Sequence, residues 1–363
     1  MTASTGRAAS RRTLGETLRR AWLSDPSLII LAAVAFLLAD VAIVYIAARG
    51  DFAIDFTCCY QQAGQRLLED PSSLYDWSDT YLFRYSPWAA VLFAPLASLS
   101  ETAAVWLWLA IKVAVVVVVA VGLARRWSGD ARWLVAGMVL FFPPIWHDLA
   151  LGNVSVFTVA VLAVLLARRD GVGGVMFGLL LILAPKPHLL PLAIWLAVRR
   201  PRDAVAALAV AGVWAITGVA VFGPELWLAW LETFREPLER TFTANIGFSG
   251  LLGPPGVVVG VVAAVVVGAA AVVRRGDIGL GLSFVSGILL GPYTFIHYLS
   301  GLVVVIDPVL RRRPRWLAPY PWLLIVFPLI PLWLLALAWT MWRTPAPTGD
   351  VEVAAEPPAA APG

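Results

Sequence analysis

The chain has 363 residues, 60% of them hydrophobic and only 14% charged, with a formal net charge of +4. A water-soluble domain carries about 25% charged residues, so this composition cannot cover a globule in water and fits lipid as its solvent. No basic stripe interleaves with aromatics, which argues against a nucleic-acid partner and assigns the positive excess to cytoplasmic loops.

In chain order, residues 1–27 form a basic leader with Arg7, Arg11, Arg12, Arg19 and Arg20. The apolar run 28–48 is too long for a signal-peptide core and lacks a small-residue cleavage site, so it reads as a first membrane helix behind a cytoplasmic leader. The loop 49–85 sets three arginines (Arg49, Arg66, Arg84) against six acids (Asp51, Asp55, Glu69, Asp70, Asp76, Asp79), a net charge of 3 − 6 = −3 that suits the outer side. Apolar runs follow at 87–123, 133–151, 154–167, 172–184, 189–198, 204–222, 256–273, 278–290, 298–309 and 316–342. They predict an all-α, polytopic transmembrane helix bundle of about ten to twelve membrane helices, with short interfacial helices in the outer loops. The tail 343–363 is Pro/Ala-rich and predicted to be disordered, which leaves 28–342 as one membrane domain.

Arginine clusters at 125/126/132, 168/169, 199/200/202, 274/275 and 311–315 punctuate these runs. If each cluster faces the cytoplasm, the intervening hairpins have their tips at 147–153, 185–188, 223–255 and 291–297, all on the other side. The run 87–123 is long enough for two helices, with a turn at 98–101 and Ser100 as N-cap. Two full crossings there would put Arg125 outside, against the rule.

The polar residues at the tips are the candidates for chemistry. Asp51 and Asp55 are spaced to share one face of a helix, and a short interfacial helix is expected over 55–68. An N-cap and a solvated loop charge are the ordinary explanation of the two acids. Lys186, in Ala-Pro-Lys-Pro-His, costs about 2.5–3.5 kcal/mol to place within the bilayer; it either snorkels to the interface or serves as a fixed cation suited to a phosphate. His297 occupies another tip, as a satisfied hydrogen-bonder or as a catalyst. Asn153, Asn245 and Ser249 have turn chemistry as their ordinary explanation. Arg84 and Tyr85 stand at the entry to the second apolar run, as a phosphate clamp or as interfacial anchors. Lys112, in mid-segment, receives no role. Segment 225–240 is amphipathic and predicted to lie in the interface, bordering a lipid-substrate entrance. Adjacent Cys58 and Cys59 read as small buried apolar residues. There is no phosphate loop, dinucleotide fingerprint, zinc-protease or nucleophile-elbow motif, and no D-x-D acid pair for a metal-bound nucleotide.

The order of these motifs resembles glycosyltransferase family 87. Asp55-Phe-Thr-Cys-Cys-Tyr-Gln-Gln-Ala-Gly and Ser73-Leu-Tyr-Asp are similar to the family's opening motif. Arg84-Tyr-Ser-Pro and Phe93-Ala-Pro-Leu resemble its Tyr-Pro-Pro and Pro-Leu segments. Gly152-Asn153-Val, Lys186-Pro, Asn245-x-x-x-Ser249 and Pro292-Tyr-Thr-Phe-Ile-His297 follow in the family's order. Asn153 stands where the family has Gln, Ser86 where it has Pro, and Tyr298 where it has His; an aromatic near Cys59 is absent.

The resemblance implies the GT-C membrane fold and an inverting transfer of a hexose, mannose in the first instance. The donor would be a polyprenyl-phosphate sugar and the acceptor a hydroxyl of a lipid-linked glycan, on the extracytoplasmic side of the plasma membrane. By motif match it makes Asp55 and His297 catalytic, with Lys186 and Arg84 on the donor phosphate. Tyr85, Asn153, Asn245 and Ser249 would contact substrate. Neither a cofactor nor a metal is implied, and the partners are the donor, the acceptor and membrane lipids. The alternatives are an arabinofuranosyltransferase using polyprenyl-phosphoarabinose and, in a different class, a transporter or lipid flippase, although the paired half-repeats of many transporters are not evident.

Overall fold

Backbone polar groups in hydrocarbon must be satisfied within their own segment, which leaves helices as the open-chain solution. The computed structural model describes residues 52–76, 83–129, 131–234, 245–312 and 329–344, with positions 34, 37, 38, 40, 41 and 45 of the first apolar run. Among these the regular elements are all helical. The leader, Asp51 and nearly all of the tail lie outside the described residues.

The helices are α1 (Gln62–Glu69), α2 (Pro87–Ala97), α3 (Glu101–Ala124), α4 (Ala131–Leu140), α5 (Pro143–Leu151), α6 (Ser155–Ala167), α7 (Val172–Leu183) and α8 (Leu190–Arg199). They continue with α9 (Pro201–Glu232), α10 (Phe248–Leu252), α11 (Pro254–Val273), α12 (Gly276–Leu290), α13 (Leu302–Val305), α14 (Asp307–Arg312) and α15 (Ile330–Arg343). Among the described residues, four stretches are long and apolar enough to cross a membrane: Glu101–Ala124, Ala131–Leu151, Pro201–Glu232 and Pro254–Val273. The expected ten to twelve crossings also counted runs that fold as shorter helices, such as Pro87–Ala97, Ser155–Ala167, Val172–Leu183 and Gly276–Leu290.

Helix α12 is the central pillar. Every residue from Ile278 to Leu289 is buried, as expected of a helix apolar on all sides. Helices α8, α11 and α15 pack around it. Helix α7 meets α9 through Gly174 and Gly178, four residues apart. A side chain at Gly174 would run into the backbone of Asp203, and a Cβ at Gly178 would lie 2.5 Å from the Ala207 carbonyl oxygen. This is the small-xxx-small contact by which membrane helices approach closely.

The bundle has two chemically distinct ends. At one, Arg126 pairs with Asp307 (3.3 Å) and Asp277 (3.7 Å), and Arg169 reaches Asp277 at 3.2 Å. The Trp127 indole donates to Asp307 at 2.6 Å. At the other end the hairpin tips meet. The run 87–123 does split at the Ser100 cap, whose Oγ accepts from Ala103 N. Helix α2 has 11 residues, about 16 Å of helix, roughly half a hydrocarbon core. It packs on α1 and stays at the tip end. Only α3 crosses, so Arg125 and Arg126 arrive at the arginine end with the other clusters, and the sequence conflict disappears.

The α7–α9 contact yields a stability test. Gly178→Leu is expected to cost about 1–3 kcal/mol or more through overpacking, lowering the unfolding temperature of the detergent-solubilised protein by several degrees. Gly212→Leu, where nothing lies within 4 Å of the Cβ position, should leave it unchanged.

Candidate active site

The segment that precedes α1 enters through a strained turn. Ala53 has a φ of 57°, a region costly for a residue with a Cβ, and its N–H donates to the Ala150 carbonyl at 2.6 Å. Asp55 follows as the N-cap of a π-helical segment, Phe56–Gln61, which runs into α1. π-Segments often mark functional positions because they re-aim side chains within a helix. The expected interfacial helix over 55–68 is therefore present. Cys58 and Cys59 lie in it as free thiols, half-buried rather than fully buried. Phe56 stacks on Trp108 of α3 at 5.7 Å, and the Trp108 indole donates to the Gly152 carbonyl at 2.7 Å. Gly152 ends α5 with a φ of 73°, and a Cβ there would lie 2.7 Å from the Phe56 Cβ. Glycine at this position lets the π-segment sit directly against the α5–α6 loop.

That loop delivers Asn153 to Asp55. Asn153 Nδ2 donates to Asp55 Oδ2 at 2.7 Å. Asn153 Oδ1 accepts from Lys186 Nζ (3.1 Å), Ser155 Oγ (3.1 Å) and Val154 N (2.8 Å). The amide orientation follows from its neighbours: donors surround the oxygen and a carboxylate faces the nitrogen. Lys186, buried between α7 and α8, also donates to Ser155 Oγ at 2.8 Å, and its ammonium lies 4.6 Å from the centre of the Tyr298 ring. A carboxylate, an amide and an ammonium from three separate segments thus form one hydrogen-bonded chain.

His297 borders this chain through Tyr298, with ring centres 4.7 Å apart. Its own ring is stacked between His147 (5.7 Å) and Phe295 (5.6 Å). His188 contacts Tyr298 at 4.6 Å, so the three histidines of the chain gather at this end from three different tips. Nδ1 of each is buried without a hydrogen-bond partner. Tyr85 reaches the same region through Tyr60, their hydroxyls 3.0 Å apart, and Tyr60 lies on the π-segment with Asp55. The Arg84 carbonyl accepts from the Trp230 indole at 3.2 Å, and the Arg84 side chain is half-buried. Helix α9 continues past a kink at Gly223 (φ 78°), so the start of the amphipathic stretch is the end of a long helix with Trp227 and Trp230 buried. Residues 235–240 of that stretch lie outside the described residues.

Asn245 and Ser249 form a separate cluster. Asn245 Nδ2 donates to Ser249 Oγ at 2.8 Å, and its Oδ1 accepts from Gly247 N and Thr294 N, both at 3.0 Å. Ser249 Oγ donates to the Pro292 carbonyl. These groups fix the 292–294 loop that leads into His297, and no hydrogen bond among the described residues joins them to Asp55 or Lys186.

Sequence reasoning missed Asp148 and left Lys112 unassigned. They form an ion pair at 3.0 Å with both side chains fully buried, directly beneath the Asn153 loop. An acid and a base, each alone in an apolar run, were the available signal, because each requires a partner in hydrocarbon.

Electrostatically the two ends of the chain differ. Burial raises the Asp55 carboxyl above its ordinary value, while the Asn153 hydrogen bond and the Lys186 charge oppose that rise. Lys186, at its tip between α7 and α8, is lowered by burial to about 8, with the Asp148 and Asp55 charges opposing. Asp55 Oδ2 is engaged by Asn153, which leaves Oδ1 to accept a proton. Lys186 uses two of its three N–H donors on Asn153 and Ser155, which leaves one for a ligand. The site therefore offers a base and an anion-binding cation across one amide.

Comparison with known families gives a match to the model of glycosyltransferase family 87 over residues 83–290, more than half of the chain. The match includes Arg84, Tyr85, Asn153, Lys186, Asn245 and Ser249, and ends short of Asp55 on one side and His297 on the other. No curated protein and no solved structure matches the chain.

Proposed function

We propose that this chain, which belongs to glycosyltransferase family 87, transfers a hexose, mannose in our reading, from a polyprenyl-phosphate donor to a hydroxyl of a lipid-linked glycan. The reaction takes place at the extracytoplasmic face of the plasma membrane. The observation that carries this reading is the chain Asp55–Asn153–Lys186, which holds a proton acceptor and a phosphate-seeking cation in fixed relation.

In this reading Asp55 Oδ1 takes the proton of the acceptor hydroxyl. The hydroxyl oxygen attacks the anomeric carbon from the face opposite the phosphate, and the bond from that carbon to the phosphate oxygen breaks. A β-linked donor gives an α-linked product in one displacement. Polyprenyl phosphate leaves with the electron pair, its charge met by the free N–H of Lys186, with His297 and Arg84 assisting. The unpartnered Nδ1 of His297 suits a hydrogen bond to a phosphate oxygen. Tyr85 borders the acceptor, and Asn245 and Ser249 shape the loop over the sugar.

Transfer of labelled sugar from polyprenyl phosphate by membrane fractions tests this directly. Asp55→Asn should lower turnover by about 10²–10⁴-fold, the ordinary contribution of a general base, with the protein still inserted; undiminished turnover refutes the assignment. Lys186→Ala should raise the donor KM by about 10–100-fold, the loss of a charged hydrogen bond, and an unchanged donor KM removes its phosphate role.

The pH profile of kcat/KM offers a second check. Asp55 acts as its carboxylate, and burial raises its pKa, so activity should fall on acidification at a pH above the usual carboxylate range. Lys186 acts as its ammonium, so activity should fall as pH rises through about 8. Lys186→Arg, always charged, should abolish that alkaline limb.

A further inference from the structure

The polar site contains a second lysine that no step above uses. Lys112 lies in the middle of α3, and its Nζ binds Asp148 twice, at 3.0 Å to Oδ2 and at 2.5 Å to the main-chain carbonyl. Asp148 in turn accepts the two leading N–H groups of α6, Ser155 N at 2.9 Å on Oδ1 and Val156 N at 3.3 Å on Oδ2. Its carbonyl also accepts Asn153 N at 3.1 Å. The loop that presents Asn153 and Ser155 to Lys186 is therefore wound around Asp148, and Lys112 closes it from the opposite side.

The charges on the two lysines are disposed differently. Lys186 has no carboxylate within 4.0 Å among the described residues, whereas Lys112 holds a full ion pair. Ser155 nevertheless links Asp148 to Lys186, donating its N–H to Asp148 and accepting with its Oγ from Lys186. Asp148 thus stands within the influence of two cations and is neutralised by one.

We infer that Lys112 is a positioning residue for donor binding: by neutralising Asp148 it keeps the Lys186 ammonium unpaired and available to the donor phosphate. Without Lys112, Asp148 is a buried charge with no counter-charge, a costly condition. The flexible Lys186 is the cation next to it. Pairing with Asp148 would draw Lys186 from Asn153 and cancel the charge that meets the phosphate. This inference rests on the phosphate role proposed above for Lys186.

The test uses the full-length enzyme in membranes, with polyprenyl-phosphate sugar varied at saturating acceptor. Lys112→Met should raise the donor KM by about tenfold or more and leave kcat within about threefold, with the acceptor KM unchanged. Lys112→Met/Asp148→Asn should restore the donor KM to within about threefold of the parent, because the Asn side-chain oxygen still accepts Ser155 N, the shorter of the two α6 cap bonds, while the competing charge is gone. A parent-like donor KM in Lys112→Met, or a double variant as impaired as the single one, overturns the inference and leaves the pair a loop support only. If Lys112→Met fails to insert, Lys112→Gln takes its place, alone and with Asp148→Asn, and is judged by the same two outcomes. Lys186→Ala separates the two levels: if its donor KM is unchanged, the phosphate reading fails; if it rises while Lys112→Met stays parent-like, only the positioning inference fails.

Discussion

Asp148 holds the α5–α6 loop in shape by carrying the Lys112 ammonium and the first free N–H groups of α6 at once. Both side chains are sealed from solvent, so neither charge can fall back on water. Losing one partner of such a pair costs about 3–5 kcal/mol, although an intact pair contributes little net stability over an apolar replacement. Its effect therefore lies in where groups and charges stand rather than in net stability. It fixes where Asn153 and Ser155 stand, and through them how Lys186 and Asp55 face each other. The strained turn at Ala53 and the left-handed Gly152 press the Asp55 segment onto the same loop.

Much of this arrangement was legible in the sequence. Arginine clusters located one end of the bundle by rule, and the polar interruptions between them located the other. Asp55, Asn153 and Lys186 fell at tips that do converge. The number of membrane crossings was less legible, because a run of apolar residues reports burial without distinguishing lipid from protein. Helix α12 is as apolar as a lipid-facing helix but buried against protein, and α2 extends only part of the way across. Asn245 and Ser249 were singled out for being polar, yet their hydrogen bonds go to each other and to a neighbouring loop. Spacing cannot reveal that. The Lys112–Asp148 pair was hidden because its halves are 36 residues apart and each resembles an isolated exception.

The family match covers the scaffold that carries the cation and the amide. The carboxylate and His297 come from flanking stretches, and the structure joins them to that scaffold through particular contacts: Asn153 for Asp55, and Tyr298 and His147 for His297. At the opposite end, Arg126 and Trp127 bind Asp277 and Asp307. The segment that follows α3 is thereby tied to the start of α12 and of α14.

Chain order adds a constraint on biosynthesis. A ribosome feeding this polypeptide to the insertion machinery delivers α3 with its lysine before Asp148 has been made. During that interval the ammonium faces hydrocarbon unaccompanied, a burden of about 2.5–3.5 kcal/mol. The surrounding helix, with a mean hydropathy of 2.6 over its most apolar 18 residues, is greasy enough to partition on its own and carry the charge in with it. Its string of valines from Val115 to Val119 thus answers to a requirement invisible in the finished fold: the membrane must accept this segment while it is still alone.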